Sequence, residues 1–161
     1  MSDVFTKQKR SEVMSRIRGG GNVSTEKRLI TLMREHGIKG WRRKCPLPGK
    51  PDFAFPKQKV AVFVDGCFWH RCPKCYQKPA TNADFWEAKI SRNVQRDKEV
   101  NRALRKRGWK VVRIWEHSLK ERPKTRRHAH PALRVLERAL CVVDRPAAKA
   151  PHRLDRSLEA R

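Results

Sequence analysis

Apolar positions along the chain recur at two spacings. Leu29, Leu32, Met33 and His36 fall at i, i+3, i+4 and i+7, the repeat of one helix face. Ser24 has N-cap chemistry, Glu26 suits a first turn and Gly37 suits the position just past a helix end. A helix is therefore expected over residues 24–36. Pro46, Pro48, Gly49 and Pro51 then mark a loop. Residues 52–55 and 60–64 read as two strands joined by a turn at 56–59, and the unbroken run Val60-Ala61-Val62-Phe63-Val64 reads as a central strand. Residues 66–80 lack any period and read as an irregular loop. A long helix is expected over 82–107, stopped by Gly108, followed by a strand over 109–115. Pro131 can open a last helix that runs to Cys141, since proline is tolerated in a first turn.

Upstream, residues 6–18 can form a short helix with Val13, Met14 and Ile17 on one side, before the joint Gly19-Gly20-Gly21. The order helix, hairpin, loop, helix, strand, helix predicts an α/β fold with helices packed around a mixed sheet. The expected organisation is an N-terminal arm over 1–23, one folded domain over 24–140 and a basic tail over 141–161.

Some polar residues break the apolar pattern. Ile90, Val94, Asn101 and Leu104 share one stripe of the long helix, and Asp97 lies within it. A carboxylate on an inward face needs a partner, because burying an unpaired charge is costly. Either a salt bridge to one of the many arginines or the orientation of a histidine would supply it. Asp52 opens one strand and Asp65 closes its neighbour. With Glu26 on the first helix, these carboxylates can meet at one sheet edge and suit a hard cation such as Mg²⁺, although each alone is also a common turn residue.

Composition narrows the partner. The chain of 161 residues carries 40 Lys+Arg against 16 Asp+Glu, a formal net charge of +24. Residues 1–119 hold 28 basic and 11 acidic side chains, so the excess belongs to the folded part as well as to the tail. Nucleic acid is the expected polyanion. No run approaches the roughly 20 apolar residues of a membrane span, and the N-terminus lacks a signal-peptide stretch. A cytoplasmic protein with no membrane partner is the expectation.

The five cysteines include Cys67, Cys72 and Cys75, spaced C-x4-C-x2-C. An odd count argues against a disulfide framework, and this spacing can close on one Zn²⁺ tetrahedron. His117 is the leading fourth ligand, with Cys45, Cys141 and His70 as alternatives. A redox pair at Cys72 and Cys75 is the competing reading, but such pairs usually sit at a helix start. Phe68, Trp69, Phe85 and Trp86 flank this cluster. They can stack on bases or pack as a small satellite core.

Together, Ser24-Thr25-Glu26-Lys27-Arg28-Leu29, Leu47-Pro48-Gly49-Lys50-Pro51-Asp52-Phe53, Val62-Phe63-Val64-Asp65-Gly66-Cys67-Phe68-Trp69-His70, the helix segment from Phe85-Trp86 through Asn93-Val94 to Arg96-Asp97, and Gly108-Trp109 through Trp115-Glu116 make the chain resemble the very short patch repair (Vsr) mismatch endonucleases. The likeness runs from about residue 10 to 119. It implies a restriction-endonuclease-like core with a zinc-stabilised loop. It also implies Mg²⁺-dependent nicking 5′ of the T in T:G mismatches left by deamination of 5-methylcytosine. The implied substrate is duplex DNA carrying that mismatch, and the chain is expected to act as a monomer, possible repair-pathway proteins aside.

By this resemblance Asp52 binds the catalytic metal, with the Val64 carbonyl beside it. His70 and Asp97 activate water, and Glu26 holds metal-bound water. Asp65 occupies a catalytic position where some members carry histidine. Phe68, Trp69 and Trp86 wedge into the duplex, while Met14 and Ile17 insert from the opposite groove. Cys67, Cys72, Cys75 and His117 hold zinc, His117 standing where some members have cysteine. The rival readings are a restriction-type nuclease of the same fold and a non-catalytic zinc DNA-binding module. The second gives no reason for Asp52, His70 and Asp97.

Overall fold

The computed structural model describes residues 23–121 and 130–141, together with Gln8 and Glu12. The expected helix over 6–18, with Met14 and Ile17, lies outside the described residues apart from Gln8 and Glu12. The elements are α1 (Val23–Glu35), β1 (Phe53–Phe55), β2 (Val60–Asp65), α2 (Ala83–Lys106), β3 (Lys110–Trp115), α3 (Glu116–Lys120) and α4 (Pro131–Cys141). The first helix begins at Val23, one residue before the expected cap Ser24, which therefore falls inside its first turn. Gly37 takes φ +66, the left-handed turn expected just past a helix.

The sheet has three strands in the order β1-β2-β3. β1 pairs antiparallel with β2, Phe53 opposite Val62, and β2 pairs parallel with β3, Val60 opposite Lys110 through Asp65 opposite Trp115. The parallel step needs a crossover, which α2 supplies. Strand β2 is central, which explains its unbroken apolar run: both of its faces are covered.

Alternation along the strands separates two cores. On one face, Val60, Val62, Val112 and Ile114 pack with Leu29 and Met33 of α1, Leu119 of α3 and Leu133 and Leu136 of α4. On the other, Ala61 and Phe63 pack with Leu104 of α2, flanked by Val100 and Val111. The result is a mixed sheet with α1, α3 and α4 on one face and α2 on the other. Burial of each large side chain, such as Phe53 or Leu29, contributes about 1.5–3 kcal/mol.

The long helix lies close against the proline-rich loop. At Gly49, with φ +74, an added Cβ would fall 2.4 Å from a Val100 methyl. On the other side, the Arg28 guanidinium donates to the Leu119 carbonyl and ties α1 to α3. Residues at 65 and 115 end the paired strands together, so the chain beyond each starts from one edge of the sheet. That edge carries the site.

Candidate active site and metal centre

The register of β2 and β3 explains why two distant segments meet. Asp65 pairs with Trp115, so Cys67 and His117 each stand two residues beyond the same sheet edge. Cys67 Sγ lies 3.2 Å and Cys72 Sγ 3.5 Å from His117 Nδ1. The loop folds back by main-chain hydrogen bonds: the Cys72 N–H donates to the Cys67 carbonyl at 2.9 Å, and the Tyr76 N–H to that of Cys72 at 3.0 Å. Ligand atoms of Cys67, Cys72, Cys75 and His117 all fall within 4.8 Å of one another. Three sulfurs and one imidazole nitrogen at that separation suit a tetrahedral zinc-type ion.

Among the thiols, burial pushes Cys67 up to about 11 despite a hydrogen bond involving His117. Burial also opposes ionisation at Cys72, but hydrogen bonds from the main chain at Lys74 and Cys75 outweigh it and leave that thiol below its ordinary value. Bound metal would favour the thiolate at each.

At the same edge Asp65, His70 and Asp97 form a connected group. His70 Nδ1 lies 2.6 Å from Asp97 Oδ2 and 4.0 Å from Asp65 Oδ1. The inward-facing carboxylate of the long helix thus meets both kinds of partner expected for it: a histidine, and an arginine, Arg113, whose terminal nitrogen is 3.1 Å from Asp97 Oδ1. Partial burial works against the Asp97 charge. The His70 hydrogen bond and charge, with Arg113, overcome that and hold its carboxyl below the usual carboxylate range.

Asp52 precedes β1 and reaches across to β2, where its Oδ2 accepts the Val64 N–H at 2.7 Å. Its carboxyl is raised to about 6, chiefly by burial. The Val64 hydrogen bond lowers it, the neighbouring Glu26 and Asp65 charges raise it, and Arg43 lowers it. Glu26 is itself buried and paired with Arg43. Asp52 thus stands near two further carboxylates and beside the Val64 main chain, oxygen donors of the kind a hard divalent cation takes.

The aromatic residues gather beside the histidine. Phe68 meets Trp69 at 5.2 Å and Trp86 at 5.4 Å between ring centroids, and Trp69 meets Trp86 at 5.8 Å. Trp69 is held from below, its carbonyl accepting from the Asn93 amide at 3.1 Å. Gly66 leaves room for it, since an added Cβ would sit 3.1 Å from the indole. The rings pack on one another, yet remain half-buried, and Phe85 at their margin is 57% exposed. The patch therefore has the contacts of a satellite core and an open face as well.

Comparison with known proteins bears on this constellation. The profile described as "DNA mismatch endonuclease Vsr" matches residues 2–77. The DNA mismatch endonuclease Vsr of Escherichia coli (strain K12) is 38% identical over 126 residues, 77% of this chain and 80% of that protein. The chain belongs to the Vsr family of DNA mismatch endonucleases. The type II nicking enzyme V.NmeAIP of Neisseria meningitidis is 36% identical over 87% of this chain and all of its own length. The type II nicking enzyme V.NaeI of Lentzea aerocolonigenes is 54% identical over a shorter stretch, 42% of this chain and 41% of that protein. Membership makes this Vsr-family chain a DNA endonuclease, with DNA as its substrate. Among the described residues no helix is long and apolar enough to cross a membrane.

Three neighbours of the Vsr-type site escape the motif reading. Arg113 bridges Asp65 and Asp97. The Lys89 ammonium lies 5.4–5.8 Å from the ring centres of Trp69, Trp86 and Phe85. Arg43 neutralises Glu26. The signal for Arg113 is present in the sequence, a cation within the otherwise apolar run from Val111 to Trp115. Nothing comparable marks Lys89 or Arg43 among so many basic residues.

Proposed function

We propose that this chain nicks DNA 5′ of the T in a T:G mismatch arising from 5-methylcytosine deamination, on a restriction-endonuclease-like core. The observation that carries the reading is the His70–Asp97 pair, with Asp65 4.0 Å from the same ring nitrogen, near the Asp52 carboxylate on Val64 and next to a half-exposed aromatic patch. A non-catalytic zinc module has no use for that arrangement.

Asp52 and the Val64 carbonyl would hold Mg²⁺, which when bound polarises the scissile phosphate and offsets developing charge. Glu26 would hold a water of that ion. Asp97 would accept a hydrogen bond from His70 Nδ1–H and so fix the ring's orientation and tautomer. That leaves Nε2 with the lone pair that takes a proton from the attacking water. Asp65 lies 4.0 Å from the same ring nitrogen and completes the acidic side of the site. The Cys67, Cys72, Cys75 and His117 group would hold structural Zn²⁺ and so order the loop that carries His70.

Phe68, Trp69 and Trp86 would wedge into the duplex, with Met14 and Ile17 of the 1–23 arm entering from the opposite groove. A mismatched step costs less to unstack than a paired one, which gives a physical route to mismatch preference. Residues 24–140 would form the catalytic domain of a monomer acting at the nucleoid, and residues 141–161 a basic tail.

The role of His70 is open to direct test. His70→Ala should lower Mg²⁺-dependent nicking of a T:G duplex by at least about a thousandfold, within the range of general-base contributions, while duplex affinity changes little. Nicking at the wild-type rate by that variant would remove His70 from the chemistry.

A further inference from the structure

The guanidinium of Arg113 is fully engaged. Its Nη1 donates to both Asp65 oxygens at 2.8 Å. Its Nη2 lies 3.1 Å from Asp97 Oδ1, and its Nε donates to Asn101 Oδ1 at 3.3 Å. Its plane stands over the Phe63 ring, 4.8 Å from the centroid. Phe63 is the residue paired with Arg113 in the parallel register, so the sheet itself supplies this platform. Asp65 is 3% exposed, and its one close cationic partner among the described residues, His70 at 4.0 Å aside, is this arginine.

Arg113 therefore joins the end of β2, through Asp65, to the middle of α2, through Asp97 and Asn101. Asp97 Oδ1 takes the arginine and Oδ2 takes His70. A carboxylate held at one oxygen by a planar, preorganised fork has its other oxygen aimed. A lysine in its place offers a point charge on a flexible stem and cannot hold both carboxylates in fixed planes.

We propose that Arg113 is a positioning residue for the nicking reaction, anchored by Asp65 and acting through Asp97 on His70. The inference rests on the reading of His70 and Asp97 as base and orienting carboxylate. It also gives Asp65 a definite role, since a carboxylate engaged at both oxygens in fixing Arg113 is not free to ligate a metal. The site is thereby organised from both sides of the α2–sheet interface, and a disturbance at β3 reaches the base with no contact to DNA.

The test uses the full chain and the T:G duplex it nicks fastest. Single-turnover nicking at saturating enzyme with Mg²⁺ gives the rate, and titration of the same duplex with Ca²⁺ replacing Mg²⁺ gives the affinity. Arg113→Met should cut the rate by about 10–100-fold, the usual cost of losing an orienting outer contact. Affinity should stay within about twofold, as expected for a residue that touches the base's partner and not the duplex. Arg113→Lys should recover only part of the rate. In a double-mutant cycle, Arg113→Met added to Asp97→Asn should cost almost nothing more, because both act on one imidazole.

Because Arg113→Met leaves Asp65 buried without its partner, a paired variant, Asp65→Asn with Arg113→Gln, removes both charges together. It should fold and show the same loss of rate at unchanged affinity. Wild-type rates in the paired variant, or additive losses in the cycle, overturn the assignment. If Asp97→Asn alone nicks like wild type, the reading of the His70–Asp97 pair fails, and the assignment falls with it. If Asp97→Asn is inactive while the Arg113 variants remain at wild-type rate, only the role of Arg113 fails.

Discussion

Asp52 carries its charge against its surroundings. Burial and the nearby Glu26 and Asp65 lift its carboxyl from 3.8 to about 6, so in the absence of Mg²⁺ the folded chain holds that proton more tightly than the unfolded chain. The stabilisation this gives is complete below pH 3.8, is lost as pH rises through about 6, and is absent at pH 7. There the ionised group opposes folding. Asp52→Asn should therefore raise stability at pH 7 without added Mg²⁺, by about 1–2 kcal/mol once solvent screening of the partly exposed group is allowed for. The gain should disappear below pH 3.8. Denaturant titrations of both proteins across this range check it; equal stability at pH 7 contradicts it. Site residues of this kind are legible where they violate a pattern. Asp97 stands out because it interrupts an apolar helical stripe. Arg113 leaves a similar trace inside β3, but a strand pattern does not say which carboxylates share its face. Its partners come from β2 and α2, 48 and 16 residues away in the chain.

At the scale of elements, helix and strand periods locate nearly every segment, and bounds move by only a residue or two. α3 is the exception, since five residues are too few to show a period and its burial of Leu119 depends on α1 and α4. Pairing is less legible than the elements themselves. The pattern proposes strands 60–64 and 109–115, but only the parallel register brings Cys67 to His117 and selects among the four candidate fourth ligands. In the loop between β2 and α2 only Cys72 is fully buried, and beside the contacts of Phe68 and Trp69 with Trp86 the Cys67, Cys72, Cys75 and His117 group is what would order it. A chelator strong enough to strip the bound metal should raise amide exchange across residues 66–80 by at least about tenfold while β2 stays protected, because structural metal sites supply folding free energy locally. His117→Ala should give the same pattern with less than stoichiometric zinc. Unchanged exchange after metal removal would show that the loop is held by packing alone.

For the whole molecule, the charge and the site divide the work. A net charge of +24 attracts any duplex, and phosphate contacts set register without reading sequence. Against that background the proposed reading gives the acidic minority the chemistry: Asp52 with Glu26 at the cation, and Asp97, braced through Arg113 by Asp65, at the histidine. On the proposed reading, discrimination then falls to the aromatic patch and the ease of deforming a mismatch. Affinity should fall steeply with added salt, and preference for T:G over T:A much less. The most direct measurement is nicking with Mg²⁺ on strand-labelled duplexes that carry T:G in varied sequence contexts, beside T:A and C:G controls. A single nick 5′ of the mismatched T, with paired duplexes intact, is the predicted result. Cleavage of both strands in fully paired DNA, or no nick in any T:G context, would contradict it.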